Sequence, residues 1–328
     1  MPDPCRASAA ASQRTTLVPD LRPCERDLLA HRSVAISRLS KLPPFHHTAL
    51  QLLSVSTESD AAVSDYERIF EADPALASQL LEVANSPMYG FEKRVDSIRH
   101  AIALMGMDGV RSLCFTIGMG CYVRGTVTTA AVRSVWNHSV ATAVVCEAIG
   151  VAVGNSVPFL YTAGLLHDIG RLGLISTEGM RYAEVLSRKY FDMEESLLLE
   201  DLLFGCSHDD AGAFLARSWG FPQRLCECIR YHHKPSESDD CDPNDPLRHM
   251  VQLACHTAHT LGLGEIPCAN FEIPAVDGSL VEHLRKSPAM KPDKLVGRFE
   301  RIVDSLVSTG SHPEAAVARR EQALRKIS

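Results

Sequence analysis

The sequence predicts an all-α protein. Three observations carry this reading. Apolar residues recur at helical spacing in segment after segment from about residue 26 to residue 307. Proline, glycine and capping residues punctuate those segments roughly every 15–25 residues. No run alternates apolar and polar side chains for long enough to form a strand.

Taken in order, residues 1–25 are rich in Ala, Ser, Thr and Pro without a sustained period, and are expected to form a flexible tail. A helix is expected from Glu25 to Leu42, carrying Leu28, Leu29, Val34, Ile36 and Leu39. Pro43 and Pro44 stop it, because proline lacks a donor and disfavours helix at the residue before it. Thr48–Ser54 follows, then Ser64–Ala72 with Ser64 as expected N-cap. Asp73-Pro74 opens the next helix, over 75–84, with Asp as N-cap and Pro at the first helical position. Asn85-Ser86-Pro87 closes it, Asn85 and Ser86 being read as caps. Ser97–Met105 ends at Gly106, and Val110–Tyr122 is apolar nearly all round, the pattern of a buried helix. Ala130–Val153, Pro158–Leu166, Tyr182–Tyr190, Met193–Leu203, His208–Trp219, Gln223–Tyr231 and Asp245–Leu261 complete the series. Pro235–Pro246 is acidic and turn-rich, an expected exposed loop, and 265–287 is expected to be a loop with little order. Lys291–Val307 forms one more amphipathic helix, and the basic stretch from Arg319 to Lys326 reads as a solvated helix or frayed tail. The chain thus divides into a flexible tail (1–25), a helical domain (26–264) and a C-terminal loop and helical extension (265–328).

Composition narrows the function. The 328 residues hold 33 Lys and Arg against 40 Asp and Glu, a formal net charge of −7. A broad nucleic-acid footprint needs clustered positive charge, so nucleic acid is an unexpected partner. No unbroken apolar run reaches 18 residues and no signal-peptide core opens the chain, so no membrane partner is expected. Eleven Cys, an odd number and mostly single in apolar runs, suit reduced thiols and a cytoplasmic setting. Fourteen His are the compositional oddity.

Chemistry concentrates at His167-Asp168, which closes the apolar segment Phe159, Leu160, Ala163, Leu165 and Leu166. Polar groups in such surroundings need partners or a metal. His138 lies on an apolar helix face with Val135, Thr142 and Val145; His208 begins one helix, and His232 and His233 end another. These five His and Asp168 can fill one or two metal sites, and imidazole with carboxylate suits Fe, Mn, Ni or Zn better than Ca or Mg. The competing readings are satisfied core histidines for His138 and His208, a hydrogen-bonded pair at a helix end for His167 and Asp168, and an exposed C-terminal residue for His233. His46 and His47 read as surface, and so do His249, His256 and His259 from their place off the apolar arc of the 245–261 helix. Cys255 lies at the edge of that arc, where it either packs or serves as a ligand, packing being the simpler reading. Trp136 and Trp219 read as core anchors.

The order His138, then His167-Asp168-Ile169-Gly170, then His208 and His232-His233 resembles the ligand order of HD-superfamily phosphohydrolases. The chain more closely resembles the HDOD family of bacterial signalling output domains, over about residues 35–240. Leu42-Pro43-Pro44, Asp73-Pro74-Ala75-Leu76, Leu81-Glu82-Val83-Ala84-Asn85-Ser86, Ser97-Ile98-Arg99-His100-Ala101-Ile102, Trp219-Gly220-Phe221-Pro222 and Ile229-Arg230-Tyr231-His232-His233 carry that likeness. The resemblance implies an all-helical HD-superfamily-like domain that acts through a signalling protein partner, gated by a divalent metal ion or a nucleotide ligand. The alternative it implies is a metal-dependent phosphohydrolase or cyclic-dinucleotide phosphodiesterase, with Asp168 bridging or orienting the ions. Three departures from the catalytic HD-GYP relatives place that alternative second. Ser134 stands where they carry Glu one turn before the first His, Lys234-Pro235-Ser236-Glu237 replaces their Gly-Tyr-Pro stretch, and Cys255 replaces an Asp of the final helix. Fewer anionic ligands are expected to weaken divalent-ion binding.

Overall fold

A computed structural model describes residues 25–55, 61–86, 89–124, 130–154, 160–187, 193–233, 245–263 and 278–308. Every regular element among them is helical. The tail 1–24, most of the 235–246 loop and the basic segment beyond 308 lie outside the described residues.

The N-terminal part runs α1 (Glu25–Leu39), α2 (His47–Leu53), α3 (Ala61–Glu71), α4 (Pro74–Ala84) and α5 (Ile98–Arg124). Asp73 caps α4, its carboxylate accepting from Leu76 N at 3.0 Å, with Pro74 at the first turn. Ser64 is not a cap: α3 begins at Ala61, so Ser64 sits one turn inside. Gly106 interrupts α5 at φ 75°, ψ 165°, which separates the two expected helices without ending the element. Asn85 ends α4 and also ties the following loop, with Nδ2 donating to Leu81 O (2.7 Å) and Val95 O (2.8 Å) and Oδ1 accepting from Val95 N (2.7 Å).

The site-bearing part runs α6 (Ala130–Ala152), α7 (Leu160–Leu166), α8 (Ile169–Glu178), α9 (Met180–Leu186), α10 (Met193–Phe204), α11 (His208–Ser218), α12 (Gln223–Tyr231) and α13 (Pro246–Thr260). Helix α8 was absent from the expected elements. Its residues Ile169 to Ile175 are all buried, Gly and Arg included. Helix α14 (Gly278–Lys286) corrects the expectation of an unstructured 265–287 loop. A 3₁₀ turn (Pro288–Met290) and α15 (Pro292–Ser308) follow. Helix α15 joins the main body through Arg298 to Glu147 (2.5 Å) and Ser305 to Ser86 (2.8 Å), and its Leu295, Ile302 and Leu306 enter the core.

One continuous core unites both parts. Phe45, placed by Pro43-Pro44, stacks on Phe115 and meets Phe221 at ring distances of 5.7 and 5.5 Å. Trp136 is fully buried, as expected of an anchor, whereas Trp219 is half-buried and packs edge-on to Tyr122. Ile98–Tyr122 and Ala130–Ala152 are long and apolar enough to cross a membrane by composition, yet each is mostly buried against its neighbours.

Candidate metal centre

Two close helix approaches assemble the site. Helix α7 lies against α6 at Gly164, where a Cβ would sit 2.6 Å from Cys146 Sγ and 3.0 Å from Ala143 Cα. Helix α8 meets α11 at Gly170, where a Cβ would fall 1.8 Å from the His208 carbonyl oxygen. Gly212 faces Gly170 across that contact. The absence of side chains at these crossings lets His138 of α6, the His167-Asp168 turn and His208 of α11 converge. Adjacent residues on a continuous helix point about 100° apart. Here α7 stops at Leu166 and α8 starts at Ile169, so the intervening turn aims both His167 and Asp168 at one centre.

That centre is the Asp168 carboxylate. Oδ1 lies 3.4 Å from His208 Nε2 and 3.5 Å from His232 Nε2. Oδ2 lies 3.6 Å from His167 Nε2 and 4.0 Å from His138 Nε2. All five residues are at most 1% exposed. His233 is half-buried beside them, its ring 3.9 Å from that of His232 and 5.1 Å from that of His208. It is therefore part of the cluster rather than an exposed helix end.

The far side of each ring fixes its tautomer. His167 Nδ1 donates to Gly164 O (2.7 Å), His232 Nδ1 to Ile229 O (2.6 Å) and His208 Nδ1 to Glu200 Oε2 (2.7 Å). Carbonyls and carboxylates only accept, so each Nδ1 carries the proton and each Nε2 faces Asp168. Those three Nε2 atoms make no well-formed hydrogen bond and face Asp168 at 3.4–3.6 Å. Burial drives the His167 imidazole down to about 3, and burial with the neighbouring rings holds His138 and His233 well below the usual histidine range. Burial alone would raise the Asp168 carboxyl, but the Arg171 guanidinium beside it holds it well below the usual carboxylate range.

An ionic shell supports the cluster, and the sequence reading missed it. Arg171, buried and one turn after Asp168, places Nε 3.0 Å from Oδ1. Glu200, fully buried on α10, accepts from His208 N and Nδ1 through Oε2 and from Tyr182 Oη through Oε1, each at 2.7 Å. Arg171 Nη1 reaches the same Oε1 at 3.5 Å. The i+3 spacing of Arg171 from Asp168 is visible in sequence; Glu200 among Glu194, Glu195 and Asp201 is not distinguishable there.

The histidines of α13 need correction. His249, His256 and His259 are half-buried, not surface residues, and the His259 ring packs 4.4 Å from that of His138. His259 follows Cys255 by one turn and shares its face, so it covers the centre from the α13 side. His46 is likewise half-buried, 3.6 Å from Asp73, while His47 is exposed as expected. Cys255 is buried with Sγ 3.3 Å from His138 Nε2. The donor atoms fall into two groups with metal-ligand spacing: Asp168, His208, His232 and His233, and His138, His167 and Cys255. Buried, outward-anchored imidazoles facing an ionised carboxylate fit a divalent ion, and the Nδ1 bonds to Gly164, Ile229 and Glu200 are of the kind that orient metal ligands.

A helical domain with clustered His and Asp at these positions defines an HD-like architecture. The HDOD domain family matches residues 42–235, and the chain belongs to that family. An uncharacterized protein of Treponema pallidum is 26% identical over 236 residues, which cover 70% of this chain and 44% of the relative, so the match spans less than half of that protein. An HDOD domain protein of unknown function from Geobacter sulfurreducens has the same fold, with a TM-score of 0.61 at 24% identity over 92% of this chain and 96% of its own. A chain from Shewanella amazonensis named as a candidate phosphohydrolase aligns at TM-score 0.55 and 21% identity, over 82% of this chain and 98% of its own.

Proposed function

We propose that this chain is an HDOD signalling module whose core holds divalent metal. His138, His167, Asp168, His208, His232 and His233 would be the ligands and a signalling protein the partner. One observation carries the reading: three imidazoles, each anchored by Nδ1, turn partnerless Nε2 atoms toward a single ionised carboxylate. Imidazole Nε2 atoms and carboxylate oxygens gathered in one buried space can share a cation between them. Imidazole and carboxylate donors suit Fe, Mn, Ni or Zn.

When bound, such an ion supplies positive charge and Lewis acidity at the buried turn between α7 and α8. The chain's own residues hold the arrangement. Glu200 orients His208, the Gly164 and Ile229 carbonyls orient His167 and His232, and Arg171 steadies Asp168. The ion would thereby set the relative placement of α6, α7, α11 and α12, and a surface formed by those helices would report its presence to the partner. A nucleotide ligand that reaches the ions would act on the same element.

Metal phosphohydrolase activity is the second reading, favoured by the Asp168 carboxylate, whose Oδ1 faces His208 and His232 while Oδ2 faces His167 and His138, as a carboxylate shared by two ions would need to do. Metal analysis of the full chain, purified aerobically and anaerobically, tests the main reading. Bound metal is expected in the wild type and lost in Asp168→Asn. Less than about a tenth of an equivalent under both conditions refutes it. If metal is present, phosphodiester turnover abolished by Asp168→Asn supports the hydrolase, and its absence removes it.

A further inference from the structure

We propose that Cys255 is a thiolate ligand in the half of the centre built from His138 and His167, so that this half selects zinc or another thiophilic divalent ion. The proposal rests on the metal reading above and adds which residue completes that half and what ion it takes.

Position comes first. Helix α13 packs against both α6 and α7, and its buried face carries Val251, Ala254, Cys255 and Ala258. Cys255 is 1% exposed and its Sγ lies 3.3 Å from His138 Nε2. His138, His167 and Cys255 donor atoms all fall within 4.8 Å of one another. The partnerless Nε2 of His167, on a side chain with no exposed surface, points into the same space. Asp168 Oδ2, 3.6 Å from His167 Nε2 and 4.0 Å from His138 Nε2, closes the set from the opposite side.

Distance agrees with shared coordination. Zinc bonds of about 2.3 Å to sulfur and about 2.0–2.1 Å to nitrogen at tetrahedral angles separate the two donors by roughly 3.6 Å. The observed 3.3 Å is within a few tenths of that edge. A thiol donating to His138 Nε2 would give a similar distance, so chemistry must discriminate between the two.

Charge and softness set the consequence. Replacing a carboxylate by a cysteine removes a negative charge only while the thiol keeps its proton. Binding of a divalent ion forms the metal–sulfur bond and releases that proton to solvent, which restores the charge. The expectation of a weaker centre from lost acidic ligands therefore does not apply at this position. What changes is softness: two imidazoles, a carboxylate and a thiolate suit zinc, while the half formed by Asp168 Oδ1, His208 and His232, with His233 beside them, is nitrogen and oxygen throughout.

Cobalt(II) substitution of the full chain tests this without recourse to activity. The wild type is expected to show a near-ultraviolet sulfur-to-cobalt charge-transfer band beside the visible d–d bands. Cys255→Ser should lose the former and keep the latter. Cobalt bound without a sulfur band, or with a band that survives Cys255→Ser, overturns the proposal and leaves the metal reading standing. A wild type that retains neither cobalt nor zinc overturns both. Should Cys255→Ser misfold, zinc-edge X-ray absorption of the wild type decides: a sulfur neighbour at about 2.3 Å supports the ligand, and a shell of nitrogen and oxygen alone refutes it.

Discussion

Gly170→Ala probes how the fold makes the site. A Cβ at this position would lie 1.8 Å from His208 O, 2.5 Å from Gly212 N and 2.8 Å from His208 C. All three are backbone atoms, so no rotamer change relieves the contact. Real Cβ atoms essentially never approach closer than 3.0 Å, which requires α8 and α11 to part by at least 1.2 Å. Overpacking of a core costs about 1–3 kcal/mol, and a backbone-to-backbone clash belongs at the upper end. For a domain of this size ~3 kcal/mol lowers Tm by about 6–12 °C. The same displacement separates His208 from Asp168, so bound metal should fall along with Tm. Thermal unfolding followed by circular dichroism, with metal analysis of the folded fraction, reads both. Gly297→Ala serves as the control: Gly297 is helical, and a Cβ there meets only the end of the Arg301 side chain at 3.4 Å. It should gain roughly 0.5–1 kcal/mol. A Gly170→Ala protein with unchanged Tm and metal content would refute the argument that this crossing builds the centre.

Three further outcomes follow from named contacts. Glu200→Gln keeps the side-chain shape but weakens the charged acceptor of His208 Nδ1, and metal affinity measured by chelator competition should drop about 10–100-fold; unchanged affinity removes Glu200 as the orienting group. Asn85→Ala removes three hydrogen bonds around the α4 terminus and strands the Val95 backbone, costing roughly 2–3 kcal/mol by denaturant titration while leaving metal content intact. Burial, with Asp210 and Asp209 nearby, raises the Asp201 carboxyl to about 6, so the stability that this group contributes in its protonated form is complete below its unfolded pKa and lost as pH rises through about 6. Asp201→Asn should therefore stabilise at pH 8 by about 1 kcal/mol after solvent screening, with a gain that shrinks toward pH 5. A gain that is flat with pH, or absent, contradicts that assignment.

What could be read in the sequence, and what could not, divides along physical lines. Amphipathic helices with strong punctuation were legible: α12 matches residue for residue, and α4, α13 and α15 agree to within a residue or two because Asp73-Pro74, Asp245-Pro246 and Pro292 mark their starts. Helix α8 was not, because it is short, carries two glycines, and follows the His167-Asp168 turn without a side-chain cap to mark its start. The converging His and Asp were legible from their order, since His138, His167, Asp168, His208, His232 and His233 all reach the cluster. Their supporting ion network was not, because Glu200 comes to His208 through tertiary packing of α10 and nothing in its local sequence separates it from neighbouring acids. The misreading of His259 has the same origin. A helical wheel places it off the apolar arc, but the surface facing α13 is itself polar at His138, so the arc that decides burial is not the apolar one.

The charge balance explains why these two networks occur together. Asp168 and Glu200 are both buried and both held ionised, against the single positive charge of Arg171. The three groups carry a net charge of −1 in surroundings that exclude solvent, and an uncompensated buried charge is costly. A proton on one of the facing imidazoles would cancel it, although burial pushes the His167 ring down and its Nδ1 already donates to a carbonyl. A divalent ion at the Nε2 face compensates the charge and gives the partnerless nitrogens something to bind in a single step. With it, the Asp168 turn would link α6, α7, α11 and α12. An element that responded in this way to one small solute would let the proposed module convert ion occupancy into a surface that a partner could read.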